Sequence, residues 1–178
     1  SGAKFTLISL STMVGTRGLF AFGADTNTVT QSYMSGSAIG AHLDTGSDFN
    51  IISLSTMMSN NAGNSALVIN AASSNTIMSS YVQGSTAALI SGSTGTVIGG
   101  SVFVATNTAG SALALRGGSV NLTIATSTLL APSLGRGLAL NPDNRGVVTV
   151  GSVTVSGAAR GIEISTQGTA FSLVVDSI

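Results

Sequence analysis

The densest group of ionisable side chains is His42, Asp44 and Asp48, with Asp25 further upstream. Asp44-Thr45-Gly46-Ser47 has the spelling of an acid-hydrolysis loop, but that chemistry needs two aspartates sharing a proton, and the chain has one such copy. Asp, Gly and Ser are also ordinary turn residues. Carboxylates in this arrangement could hold calcium or act as paired acids on a glycosidic bond. No basic residue stands beside them in sequence to serve as the base of an elimination. The expectation is a solvated loop in which His42, Asp44 and Asp48 offer a ligand contact and no catalytic set.

Arg136 and Arg160 form a second group. Each precedes the same Gly-apolar pattern, and Arg17 precedes it earlier in the chain. Stacked, they would make an anion-binding strip. The simpler expectation is pairing with Asp143 and Glu163, which at a surface contributes little stability.

The elements that must position these groups come from a repeat. FTLISLSTMV at 5–14 returns as FNIISLSTMM at 49–58, and NTVTQSYMSG at 27–36 returns as NTIMSSYVQG at 75–84. One serine column runs Ser11, Ser32, Ser55, Ser80, Ser101, Ser127, Ser152 and Ser177, at spacings of 21 to 26 residues. A second column opens each unit with alternating apolar residues: GLFAF at 18–22, AIGAH at 38–42, ALVIN at 66–70, AALIS at 87–91, ALALR at 112–116, GLALN at 137–141 and GIEIS at 161–165. Period-two alternation makes these short strands. Leu19, Leu67, Leu113, Leu138 and Ile162 then point inward, as do Ile8, Val29, Ile52, Ile77, Ile98 and Ile124 in a second strand. Met13, Met34, Met57, Val82, Phe103 and Leu129 do so in a third. The segment 148–155 departs from this phase, and either a bulge or a different bend accounts for it.

Like residues every twenty-odd positions are what stacked coils require, since each coil packs on its neighbours. The sequence therefore predicts an all-β chain, a right-handed parallel β-helix of about seven or eight coils with three short strands per coil. Residues 1–178 read as a single β-helix domain, a segment of a longer repeat array whose ends are uncapped. The serine column is expected to form a structural ladder. The outward positions Phe20, Val68 and Leu89 are unusually apolar and mark a lateral contact face.

These columns resemble the right-handed parallel β-helix superfamily of pectate-lyase-like proteins, and most of all the degenerate repeats of large exported bacterial proteins. That resemblance implies the fold. It leaves lyases, hydrolases, adhesins and structural arrays open as functions.

Composition narrows the partners. Six Lys and Arg balance six Asp and Glu, and only 7% of residues are charged. This gives no basic footprint for nucleic acid, and no apolar run is long enough to span a bilayer. With no cysteine, disulfides and thiolate zinc sites are excluded, and no cofactor motif is present. The expectation is a non-enzymatic structural or adhesive segment, extracellular or at the cell surface, that self-associates or packs on flanking repeats. The alternative is a β-helix that binds or cleaves polysaccharide.

Overall fold

The computed structural model describes residues 2–176. Among them there is no helix, and every paired strand runs parallel to its neighbours. The chain winds into a β-solenoid of about seven turns.

One ladder is an eight-stranded sheet, from Leu7–Ser9 through Thr28–Thr30, Ile51–Ser53, Thr76–Met78, Val97–Gly99, Val120–Ala125 and Arg145–Gly151 to Phe171–Val175. Its central register stacks Ile8, Val29, Ile52, Ile77, Ile98, Ile124, Val150 and Val175 in one column. A second ladder stacks Met13, Met34, Met57, Val82, Phe103, Leu129 and Val155. A third stacks Leu19, Ala41, Leu67, Ala88, Leu113, Leu138 and Ile162. In the first two coils the last two ladders run together, because Thr12–Phe22 and Tyr33–Asp44 are single strands of 11 and 12 residues.

Corners between ladders use left-handed backbone. Leu10, Gln31, Leu54, Ser79 and Thr126 have φ of 47–50°, at roughly 1–2 kcal/mol each for a residue with a Cβ. Side-chain ladders offset that cost. At the corner that leaves the eight-stranded sheet, the N–H groups of Ser11, Ser32, Ser55, Ser80 and Ser101 donate to the hydroxyls of Ser32, Ser55, Ser80, Ser101 and Ser127, at 3.1–3.2 Å. Each hydroxyl donates in turn to the carbonyl two residues before it. The corner that enters the sheet is built the same way on asparagine. The N–H groups of Thr6, Asn27 and Asn50 donate to the side-chain carbonyls of Asn27, Asn50 and Asn75 at 2.8–2.9 Å.

Two local expectations are corrected and one open alternative is decided. The pairing of Thr128 with Thr154 puts Val153 opposite Ser127 and Ser152 opposite the Thr126 bend. The serine column thus slips by one residue there, and Val153 is buried at that corner. Ser177 lies outside the described residues. The out-of-phase segment does carry a bulge, with Val120 opposite Arg145 but Leu122 opposite Val148, and Val148, Val150 and Val153 are buried. Finally, AIGAH at 38–42 sits two residues out of the predicted frame. A register shift between Gly15 and Arg17 pairs Leu19 with Ala41 and Ala21 with Leu43.

Candidate functional site

Three rows of side chains flank the inward columns of the third ladder. The first holds Arg17, Ile39, Ser65, Thr86, Ser111, Arg136 and Arg160. The second holds Phe20, His42, Val68, Leu89, Ala114, Ala139 and Glu163. The third follows one inward residue later and includes Asp44, Asn70, Arg116 and Asn141. Alternation along the strand and like-on-like stacking put the second and third rows on one face, and the first row, two residues before the inward column, joins Val68, Leu89 and Ala114 in lining the same groove.

The middle of this face is a groove of about 390 Å³. Val68, Leu89 and Ala114 floor it, and the hydroxyl residues Ser65, Thr86 and Ser111 line one side. Gly63, Asn64 and Ala109, from loops leaving the second ladder, raise that side, while Arg116 and Asn141 form the other and Arg136 closes one end. The lining draws on five successive coils from Ile39 to Asn141. At about 4.8 Å per coil, the cleft runs roughly 19 Å along the solenoid. Among the described residues that line it there is no carboxylate.

Beyond the groove lie the acids, beginning with Asp44 at the end of the third row. Asp44 Oδ1 accepts from Asn70 Nδ2 at 2.8 Å and from the Thr45 N–H at 2.9 Å. The Asn70 hydrogen bond, with smaller help from Thr45 and His42, holds its carboxyl below the usual range against a modest burial penalty. Gly46 has φ of 69° and Ser47 is fully buried, with its hydroxyl accepting the Ala24 N–H at 3.3 Å. The Asp-Thr-Gly-Ser run is therefore a solenoid corner. Asp48 also serves the backbone, accepting the Ser73 N–H at 2.6 Å, and the Asp48 N–H donates to Asp25 Oδ1 at 3.2 Å.

His42 is almost buried and stands 3.8 Å from Asp44 by Nε2. Its ring lies 5.3 Å from that of Phe20, over which the Arg17 guanidinium sits at 4.5 Å. Burial lowers its pKa, Asp44 opposes that shift and Arg17 adds to it, so the imidazole is neutral near pH 7. The structure brings His42 and Asp44 together and sends Asp48 to a corner.

Arg136 and Arg160 stack as neighbours and share one acid. Arg136 Nε donates to Glu163 Oε1 at 2.8 Å and Arg160 Nη1 pairs with Glu163 Oε2. Among the described residues neither pairs with Asp143. Arg136 Nη1 also donates to the Ala109 carbonyl at 3.1 Å. Of the residues expected to form a lateral contact face, Val68 and Leu89 floor the groove, while Phe20 lies outside it and is half exposed.

Fold and site together define a parallel β-solenoid with a polar cleft along one face. No family model and no curated protein matches the chain. Among solved structures it is similar to an alginate lyase from Paenibacillus sp. str. FPU-7, at 15% identity and a TM-score of 0.50, over 92% of this chain and 73% of that one. It is also similar to the Agl-KA catalytic domain, at 12% identity and a TM-score of 0.52, over 98% of this chain and 48% of that one. The chain spans about half the length of that catalytic domain. At these identities it is the parallel β-helix fold that is shared.

The expectation of a non-enzymatic segment is corrected here: the two folds superposed are a lyase and a catalytic domain. No run of neighbouring residues announces the groove. The cleft is assembled from positions about one coil apart. The aligned column Ser65, Thr86 and Ser111, two places before each inward leucine or alanine, was the available signal.

Proposed function

We propose that the chain is a polysaccharide-binding or polysaccharide-cleaving β-helix that takes a sugar chain along the lateral groove. The observation that carries this reading is the groove itself, an extended cleft of hydroxyl, amide and guanidinium groups over an apolar floor. A glycan chain presents the same mixture, ring faces that are partly apolar and a fringe of hydroxyls, and clefts that fix orientation with a few polar groups suit it. The likeness in fold to an alginate lyase and to a catalytic domain supports the same reading. The test is retention on a panel of immobilised polysaccharides, followed by a reducing-end assay on those retained. Retention of at least one polysaccharide that is lost in Leu89→Trp, which fills the floor, is expected. A chain that neither binds nor shortens any member of the panel would sink the proposal.

A second role, a structural or adhesive segment associating with further copies or flanking repeats, is favoured by the strong exposure of Phe5, Leu7, Leu10 and Val14 on the first coil. Sedimentation across a hundredfold concentration range decides it: a constant monomer mass removes self-association. Either role would be exercised outside the cell or at its surface.

A further inference from the structure

We infer that the groove takes an acidic polysaccharide, and that Arg116 and Arg136 are the groups that read its anionic substituents. The inference rests on the polysaccharide reading above and narrows it to one substrate class.

Charge is scarce in this chain. Twelve charged side chains, six of each sign, are spread over 178 residues. The groove nonetheless contains two arginines, and no Asp or Glu is found among its described lining residues. A neutral glycan asks for hydroxyl and amide partners, which Ser65, Thr86, Ser111, Asn64 and Asn141 already supply. Arg116 has no carboxylate partner among the described residues, and the one acid that Arg136 holds is shared with Arg160, so the cleft keeps a net positive charge that a neutral glycan leaves unopposed. An anionic sugar supplies the opposing charge.

The two arginines are held differently. Arg136 is anchored through Nε to Glu163 and through Nη1 to the Ala109 carbonyl. Its guanidinium is thus fixed before any ligand arrives, which removes part of the ordering cost of binding. Glu163 also pairs with Arg160, so the local triad carries a net positive charge. Arg116 stands on the other side of the Ala114 floor, is exposed, and has no carboxylate within ion-pair distance among the described residues. It is free to follow the substituent it meets. A guanidinium matches carboxylate and sulfate oxygens in a planar fork. Both therefore fit, and the shared chemistry is an oxyanion on a glycan chain.

The test is affinity electrophoresis and calorimetry of the full chain with alginate (carboxylated), carrageenan (sulfated) and dextran (neutral). Alginate or carrageenan is expected to bind at least tenfold more tightly than dextran, and which of the two wins identifies the oxyanion. Arg116→Gln and Arg136→Gln should each weaken that binding about tenfold, the usual size of a lost charge-assisted hydrogen bond. Arg145→Gln removes the same charge from a strand of the eight-stranded sheet and should change it less than twofold. Raising salt from 50 to 500 mM should weaken the native chain and spare the Arg116→Gln/Arg136→Gln double variant. Equal or tighter binding of dextran overturns the inference and leaves the polysaccharide reading standing. Binding of none of the three overturns both. Equal losses in Arg145→Gln and the groove variants would mean diffuse attraction to net charge, and would also overturn it.

Discussion

Asn50 donates its backbone N–H to the side-chain carbonyl of Asn75, one coil further on, at 2.8 Å. Asn50 in turn accepts the Asn27 N–H and sends its own Nδ2 to the Ala24 carbonyl at 2.8 Å. One buried amide thus satisfies backbone groups of a neighbouring coil at a left-handed corner. Asn50→Ala orphans a part-buried donor and a buried acceptor, each at about 1–3 kcal/mol. A loss of about 2–4 kcal/mol is expected, read from the urea midpoint by circular dichroism. An unchanged midpoint would remove the ladder from the account of stability.

The serine corner is predicted to be weaker per residue. Ser80 accepts the Ser55 N–H at 3.2 Å and donates to the Met78 carbonyl at 2.8 Å. Ser80→Ala should cost about 1–2 kcal/mol, less than Asn50→Ala in the same titration. A larger loss at Ser80 would reverse that ranking.

Phe103 is fully buried at the centre of the second ladder, between Val82 and Leu129. Phe103→Ala should cost about 3–5 kcal/mol, while Phe103→Leu keeps most of the volume and should cost less than half of that. Thermal unfolding of the two variants side by side checks the order.

His42 is the chain's only histidine, so its ring protons can be followed without assignment. Its folded pKa is lowered, chiefly by burial. The unfolded chain therefore binds the proton more readily, and this group's contribution to stability is full above the ordinary value of about 6.5. That contribution is lost as pH falls from there toward the folded value. NMR titration should place the midpoint below that of a free histidine, and Asp44→Asn should lower it further by removing the opposing charge. A midpoint at or above the free value contradicts the burial argument.

Asp44 has the opposite chemistry and the same direction. Its carboxyl is lowered mainly by the Asn70 hydrogen bond, so its stabilisation is present above the unfolded value and lost as pH falls through the folded one. Asn70→Ala should raise the Asp44 pKa toward its ordinary value. The acid limb of the stability curve should flatten accordingly, as measured by urea midpoints between pH 2 and 6.

Sequence alone was enough for the winding and its core, because stacking demands like residues at like positions. The columns headed by Ile8 and Met13, and the ladder from Ser11 to Ser127, are printed in the chain as a period. It could not reveal where that period slips. A one-residue bulge leaves composition unchanged, so the displacement of Ala41, His42 and Leu43 by two places, and of Ser152 from the serine corner, became visible only through strand register. The groove belongs wholly to the tertiary structure. Ser65, Leu89, Arg116 and Arg136 are far apart along the chain and share no motif. They meet because winding brings residues separated by a coil to within one strand spacing, and because the loops at Asn64 and Ala109 rise beside an otherwise flat sheet.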